Sequence, residues 1–213
     1  MKNVEEILLA SQSKFRLAIC ESAGIPVRGV KSYCDEDKVT DTDENPSKLA
    51  IKRSEAKGRE VRDISLNSLI ISSDQVLEFE AKPYGKAKDE EEALERLMQF
   101  SNKTHYLHTA YSLFLYEKDK EPLLLGNHLV SVEMKMRDFS KTVAKNYIAT
   151  GEWKGCAGCY QFENKGSHLF ESAKGESTAI VGLPVLDLLS KLRKLGIDLM
   201  DNQKGPWAIN IKS

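Results

Sequence analysis

In the stretch ILLASQSKFRLAICESAGIPV, residues 7–27, an apolar run stops at Ser11; two hydroxyls, a lysine and Arg16 follow before a helix-like pattern closes at Gly24. Two kinds of chemistry suit such a junction. Ser11 or Ser13 can cap the helix by accepting from its free backbone N–H groups. The same N–H groups, the positive end of the helix dipole and Arg16 in the first turn also favour an anion such as phosphate. Taken alone, the segment favours the cap. A second polar break falls in SLIISSDQVLEFE, where a buried run gives way to Ser72-Ser73-Asp74, so Asp74 is expected where a core strand runs out. Ligands of an α/β sheet collect beyond the carboxyl ends of its strands, and both breaks can therefore face one cleft.

Other reactive side chains are arranged less suggestively. Cys156 and Cys159 form a C-x-x-C, but GCAGCYQF reads as a glycine-bounded strand or turn with small packing residues, and no second ligand pair exists for zinc. Cys20 and Cys34 complete a set of four that does not form a disulfide-rich pattern. His105, His108, His128 and His168 lack the i, i+4 spacing of a helical metal pair.

The elements that must position these groups can be read from the pattern. The acidic CDEDKVTDTDENP at 34–46 reads as an exposed loop, after which Asn45 can cap a helix that has Pro46 at its first position. KDEEEALERLMQFS predicts a helix with acids in its first turn and Ala93, Leu94, Leu97 and Met98 on one face. THYLHTAYSLFLYEKDKEPLLLGNHLVSVEMK predicts a long hairpin. One helix follows from Ser140 toward Gly151; another runs from Pro184 to Gly196 with Val185, Leu188, Leu189 and Leu192 inward. Early alternation of strands and helices, then hairpins, predicts an α/β protein with a mixed twisted sheet, flanking helices and two lobes.

At 213 residues the chain suits a single domain, 1–213, rather than two independent ones. With 31 basic and 32 acidic residues there is no global field to recruit a nucleic acid polymer or an anionic membrane; phosphate binding must come from local placement of charge. The N-terminal apolar run, Ile7 to Ala10, fits neither a signal peptide nor a membrane span, so a cytoplasmic protein is expected.

Taken together and in order, LLASQSKFR, DENPSKLAIKRSEAKG, IISSDQV, YGKAKDEEEALERL, NKTHYLHTAYSLF, NYIATGEWKGCAGCYQFENKG and KGESTAIVGLPVLDLL resemble the Maf family of nucleoside triphosphate pyrophosphatases over nearly the whole chain. The resemblance implies an elongated two-lobed α/β fold with a central cleft, commonly a homodimer. It also implies hydrolysis of a nucleoside triphosphate to the monophosphate and pyrophosphate with a divalent cation, Mg²⁺ or Mn²⁺. By the same resemblance Ser11, Ser13 and Arg16 bind phosphates, Lys57, Asp74 and Lys86 are catalytic, and Glu36 joins Asp74 at the metal. Asp35 and Asp37 compete with Glu36, because this loop is about two residues longer than the common pattern. This inventory suits hydrolysis at a triphosphate, which needs cations, a carboxylate-held metal and a group to orient water.

The departures concern the base. Lys14 and Phe15 stand where the common pattern has Pro and Arg, and GKA replaces G-K-P around Lys86. An aromatic at Phe15, Gln75 within SDQV, and Glu163 where the pyrimidine-specific branch has Gln resemble the branch acting on 7-methyl-GTP. An aromatic face stacks on a cationic purine with a gain of roughly 0.5–2 kcal/mol. A carboxylate accepts from the N1–H and 2-amino donors of guanine, whereas an amide suits uracil or thymine. Rival readings are a UTP, dTTP or CTP pyrophosphatase and a nucleotide-binding regulator of cell division.

Overall fold

The strand Glu6–Ala10 is apolar on both faces because it lies inside a sheet. The computed structural model, which describes residues 1–40, 45–62, 64, 66–118 and 120–211, contains in chain order β1 (Lys2–Val4), β2 (Glu6–Ala10), α1 (Lys14–Ser22), β3 (Val27–Val30), α2 (Pro46–Arg59), β4 (Ser68–Phe79) and β5 (Lys82–Tyr84). These are followed by α3 (Glu90–Phe100), β6 (Thr104–Tyr116), β7 (Leu123–Met136), α4 (Lys141–Ile148), β8 (Phe170–Lys174), α5 (Ser177–Val181), α6 (Val185–Leu195) and β9 (Trp207–Ile209). The main sheet has the order β3-β2-β4-β6-β7-β8, with β5 added to β4. β2 is parallel to both β3 and β4, and the rest is antiparallel, so the sheet is mixed as the sequence predicts. No helix among the described residues is long and apolar enough to cross a membrane.

The caps follow the sequence. Ser13 is the N-cap of α1, Asn45 Oδ1 accepts from Lys48 N at 3.0 Å with Pro46 opening α2, and α6 ends on left-handed Gly196. Of the acidic stretch, 41–44 lies outside the described residues; 34–40 is largely exposed and holds a 3₁₀ turn, Glu36–Lys38. The Cys156–Phe162 segment forms turns, not a strand, and all four cysteines are free thiols. The C-terminal Trp207–Ile209 pairs with β1 in a separate ribbon that no local pattern announces.

One expectation is overturned. Asp74 does not lie where a strand runs out: β4 continues unbroken through Ser72, Ser73 and Asp74, which stay in register opposite Ser112, Tyr111 and Ala110 of β6. The polar run is tolerated because its groups find partners on alternate faces. Ser72 Oγ donates to Ser54 O on α2 at 2.7 Å, and Ser73 Oγ lies 2.8 Å from Ala110 O and 2.9 Å from Gly182 O. The strand that does run out is β2, whose last pair is Ala10 with Ser72, so Asp74 projects just beyond its carboxyl end.

The same run divides the core. Leu69 and Ile71 belong to an apolar cluster with β1, β2, α6 and β9. Leu77 and Phe79, on the same face of the same strand, belong to another with α3, α4, Trp153 and Tyr160. Between them Ser73 and Gln75 face α5, and on the opposite face Ser72 and Asp74 face α2.

Candidate active site

The helix α2 approaches the sheet so closely at Gly58 that a Cβ there would lie 2.2 Å from the Phe114 ring and 2.7 Å from Ser72 Oγ. Glycine permits that approach. The preceding residue, Lys57, is thereby pressed onto β4, with its ammonium 2.5 Å from Asp74 Oδ1 and 3.0 Å from Glu36 Oε1. Lys57 and Asp74 are 8% and 5% exposed, so the pair is shielded from solvent screening. Asp74 Oδ2 is buried without a hydrogen-bond partner. In a closely packed interior such an oxygen is costly unless a further group meets it in the working state.

Of the three acids offered by the loop, Glu36 is the one that touches Lys57. Asp35 pairs with Lys38 at 3.0 Å, and Asp37 borders the cavity. Burial raises the Glu36 carboxyl, but Lys57 outweighs it, with help from Lys86 and Arg16, and the net shift is downward. Glu36 is ionised at neutral pH.

At the opening junction the two serines cap the helix and hold Arg16 beside it. Ser13 Oγ caps α1 through Arg16 N at 3.5 Å, while Ser11 Oγ accepts from Ser13 N at 3.1 Å and from Arg16 Nη1 at 3.4 Å. Arg16 Nε donates to Gly182 O at 2.8 Å, the carbonyl that also receives Ser73. Burial lowers the Arg16 pKa, and the fields of Asp74 and Glu36 oppose that shift; the guanidinium keeps its charge.

These groups border one cavity of about 1050 Å³ at the end of β2 and between the two apolar clusters of β4. Ser11, Ser13, Phe15, Arg16, Glu36, Lys57, Asp74, Gln75, Lys86 and Glu163 all line it. Phe15 is 41% exposed, which excludes a role as an ordinary core residue of α1. Glu163 and Lys86 are exposed along the cavity. Gln75 reaches the same wall, but its amide nitrogen lies 2.8 Å from Thr109 Oγ1, 2.8 Å from Ala179 O and 3.1 Å from Ile180 O, so its donors fasten α5.

Two further lining residues, Arg53 and Cys156, were not assigned to the site from the sequence. Arg53, one turn before Lys57 on α2, adds a cation, and the i, i+4 spacing was the signal that marked it. Cys156 lies in the wall beside Glu163; burial first, then that carboxylate, push its thiol up to about 11. It is protonated at neutral pH, which agrees with packing rather than redox chemistry.

The donor set can be weighed against a divalent cation. Among the described residues no three His, Cys, Asp or Glu side chains gather as a metal cage. Glu36 Oε1 and Asp74 Oδ1 both pair with the Lys57 ammonium, which brings the two carboxylates together, and Asp74 keeps an unpaired oxygen. That arrangement fits Mg²⁺ or Mn²⁺, hard ions held by one or two carboxylates together with substrate phosphates.

Comparison with known proteins agrees with the geometry. A 7-methyl-GTP pyrophosphatase of Bartonella quintana is 34% identical over 197 residues, covering 91% of this chain and 97% of its own. A nucleoside triphosphate pyrophosphatase of Gluconobacter oxydans is 32% identical, with coverage of 90% and 95%. A dTTP/UTP pyrophosphatase of Dictyoglomus turgidum is 32% identical, with coverage of 92% and 99%. A solved structure of the Staphylococcus aureus Ham1 protein overlaps 62% of this chain and 72% of its own at 20% identity and a TM-score of 0.38, a likeness too slight to bear on function. Residues 6–195, which include every cavity residue named above, match the Maf-like protein family, and the chain belongs to that family.

Proposed function

We propose that this protein hydrolyses nucleoside triphosphates to the monophosphate and pyrophosphate, with 7-methyl-GTP as its preferred substrate. The observation that carries the reading is the buried Lys57–Asp74 pair, with one carboxylate oxygen unpartnered, at the floor of a cavity large enough for a nucleotide. Arg16, Lys57 and Lys86 offset the triphosphate charge, and Ser11 and Ser13 order the end of α1 that faces it. Asp74 orients the attacking water and takes its proton at Oδ2 as the bond between the α- and β-phosphates breaks; a positioned base typically contributes roughly 10²–10⁴-fold. A divalent cation held by Glu36 and Asp74 supplies further charge neutralisation at the phosphates when bound. The base lies between Phe15, which stacks on its face, and Glu163, which accepts from its donor edge. Names borne by the relatives support the reaction, and the 7-methyl-GTP pyrophosphatases among them support the choice of base. We place this activity in one two-lobed domain acting as a cytoplasmic homodimer. The free thiols suit a reducing compartment.

The test is pyrophosphate release by the wild type and by Asp74→Asn, with Mg²⁺ or Mn²⁺ and with chelator, across 7-methyl-GTP, GTP, UTP, dTTP and CTP. Preference for 7-methyl-GTP that vanishes with Asp74→Asn and with chelator supports the reading. A pyrimidine preference keeps the reaction and removes the roles given to Phe15 and Glu163. Nucleotide binding without turnover brings the regulatory reading forward.

A further inference from the structure

Lys86 sits on an exposed segment with no secondary structure of its own, yet a phosphate-binding ammonium must be held within a fraction of an ångström to be useful. The groups that hold this segment lie behind it, on α3. Arg96 is buried, at 7% exposure, and its guanidinium faces inward beside the Tyr84 ring, 5.3 Å from the ring centre. Nη1 donates to Gly85 O, the carbonyl immediately before Lys86, and to Ala157 O at 2.7 Å. Nη2 donates to Glu92 Oε1 at 2.6 Å, one turn earlier on the same helix. The second oxygen of Glu92 accepts from Lys88 N at 3.0 Å, two residues after Lys86. Lys86 is thus bracketed: Arg96 fixes the peptide before it and Glu92 the amide of Lys88, two residues after it. Asp89 caps the helix that carries both, accepting from Glu92 N at 2.9 Å.

Ala157 adds the consequence. It belongs to the turn that also contributes Cys156 and leads to Glu163, the adjoining wall of the cavity. One planar cation therefore fastens two cavity walls to each other: the segment with the phosphate-binding Lys86 and the turn that precedes the base-reading Glu163. An arginine suits this task because a single rigid fork presents several donors at fixed angles; a lysine offers one point charge. Burying a cation here purely for stability would gain little over an apolar residue of similar volume.

We infer that Arg96, with Glu92, is a positioning residue for this site: it sets Lys86 and couples the phosphate end of the cavity to the base end. The inference rests on the proposed role of Lys86 and goes beyond it. Arg96→Lys, which keeps the charge and loses the fork, is expected to lower kcat/KM for the preferred nucleotide by about 10- to 100-fold. Discrimination between 7-methyl-GTP and UTP should narrow at the same time, because the turn leading to Glu163 is released together with Lys86. Acting in part through Lys86 means non-additivity: in a Lys86→Ala background the same change should cost several-fold less than in the wild type, the remainder coming from the released turn before Glu163. Glu92→Gln should give a smaller loss in the same direction.

The experiment is a double-mutant cycle of Arg96→Lys and Lys86→Ala, with thermal melts of each variant and amide hydrogen exchange over 85–88 and 155–158. Loss of protection in both segments together is expected in Arg96→Lys, and this readout does not depend on turnover. Equal losses of kcat/KM in the two backgrounds, or unchanged activity in Arg96→Lys, would overturn the inference. So would exchange that rises in one segment alone or in neither. If the wild type itself releases no pyrophosphate, the proposed function fails, and hydrogen exchange still decides whether the two walls are coupled.

Discussion

Lys57 and Asp74 form a buried ion pair whose ammonium also reaches Glu36, so one cation holds together the two carboxylates suited to a metal. The pair exists because α2 lies on β4 at Gly58, and it closes the floor of the cavity beyond the end of β2.

Removing Lys57 leaves Asp74 buried and unpaired, a situation that typically costs 3–5 kcal/mol, so Lys57→Met is expected to lower stability by about that much. Adding Asp74→Asn to Lys57→Met should recover a large part of the loss. Urea denaturation of the two single variants and the double variant measures it. Additive losses would show that the two side chains do not interact energetically.

Phe15→Ala should weaken turnover of 7-methyl-GTP by about 2- to 30-fold, as loss of a stacking term of roughly 0.5–2 kcal/mol implies, while changing UTP turnover much less. Glu163→Gln should narrow the same ratio by exchanging an acceptor for a mixed donor and acceptor. Steady-state kinetics on both nucleotides decides; equal losses for Phe15→Ala would assign it to packing.

Gly58→Ala forces a methyl against the buried Phe114 ring and Ser72, and overpacking of this kind costs about 1–3 kcal/mol. Activity should fall with it, because Lys57 follows the helix backbone. At Gly85 a Cβ meets nothing within 4 Å, so Gly85→Ala is the matched comparison for stability. Chemical denaturation that finds the two variants alike would contradict the close approach.

His105 is fully buried against Phe100, with Nε2 2.7 Å from the Tyr160 hydroxyl, and burial drives its pKa from 6.5 down to about 3. The folded chain keeps the ring neutral while the unfolded chain takes up a proton below 6.5. Stability is therefore fully present above that pH and is lost as pH falls toward 3. Between pH 6.5 and 5 the loss is about 2 kcal/mol. Urea titrations of wild type and His105→Gln at pH 7 and pH 5 check the sign, since the variant should show a weaker dependence.

Local signals account for much of what the sequence determined by itself. Caps at Ser13 and Asn45, Pro46 at the head of α2, left-handed Gly196 after α6 and the long hairpin are decided by backbone preferences and periodicity within a few residues, which tertiary packing did not override. The set of chemical side chains was legible as well, though through the ordered motifs; spacing alone left Ser11 and Ser13 as caps and was silent on Lys57, Lys86 and Glu36. Only the tertiary structure decided how they meet. Asp74 reads locally as a strand end because three polar residues interrupt an apolar run, yet β4 continues, since α2 and α5 satisfy those groups from opposite faces. The selection of Glu36 over Asp35 and Asp37, the commitment of the Gln75 donors to α5, and the fastening of Lys86 by Arg96 likewise depend on partners far along the chain. Backbone propensity is set by neighbours in sequence, whereas a charge is placed by whatever residues the sheet register brings within a few ångströms of it.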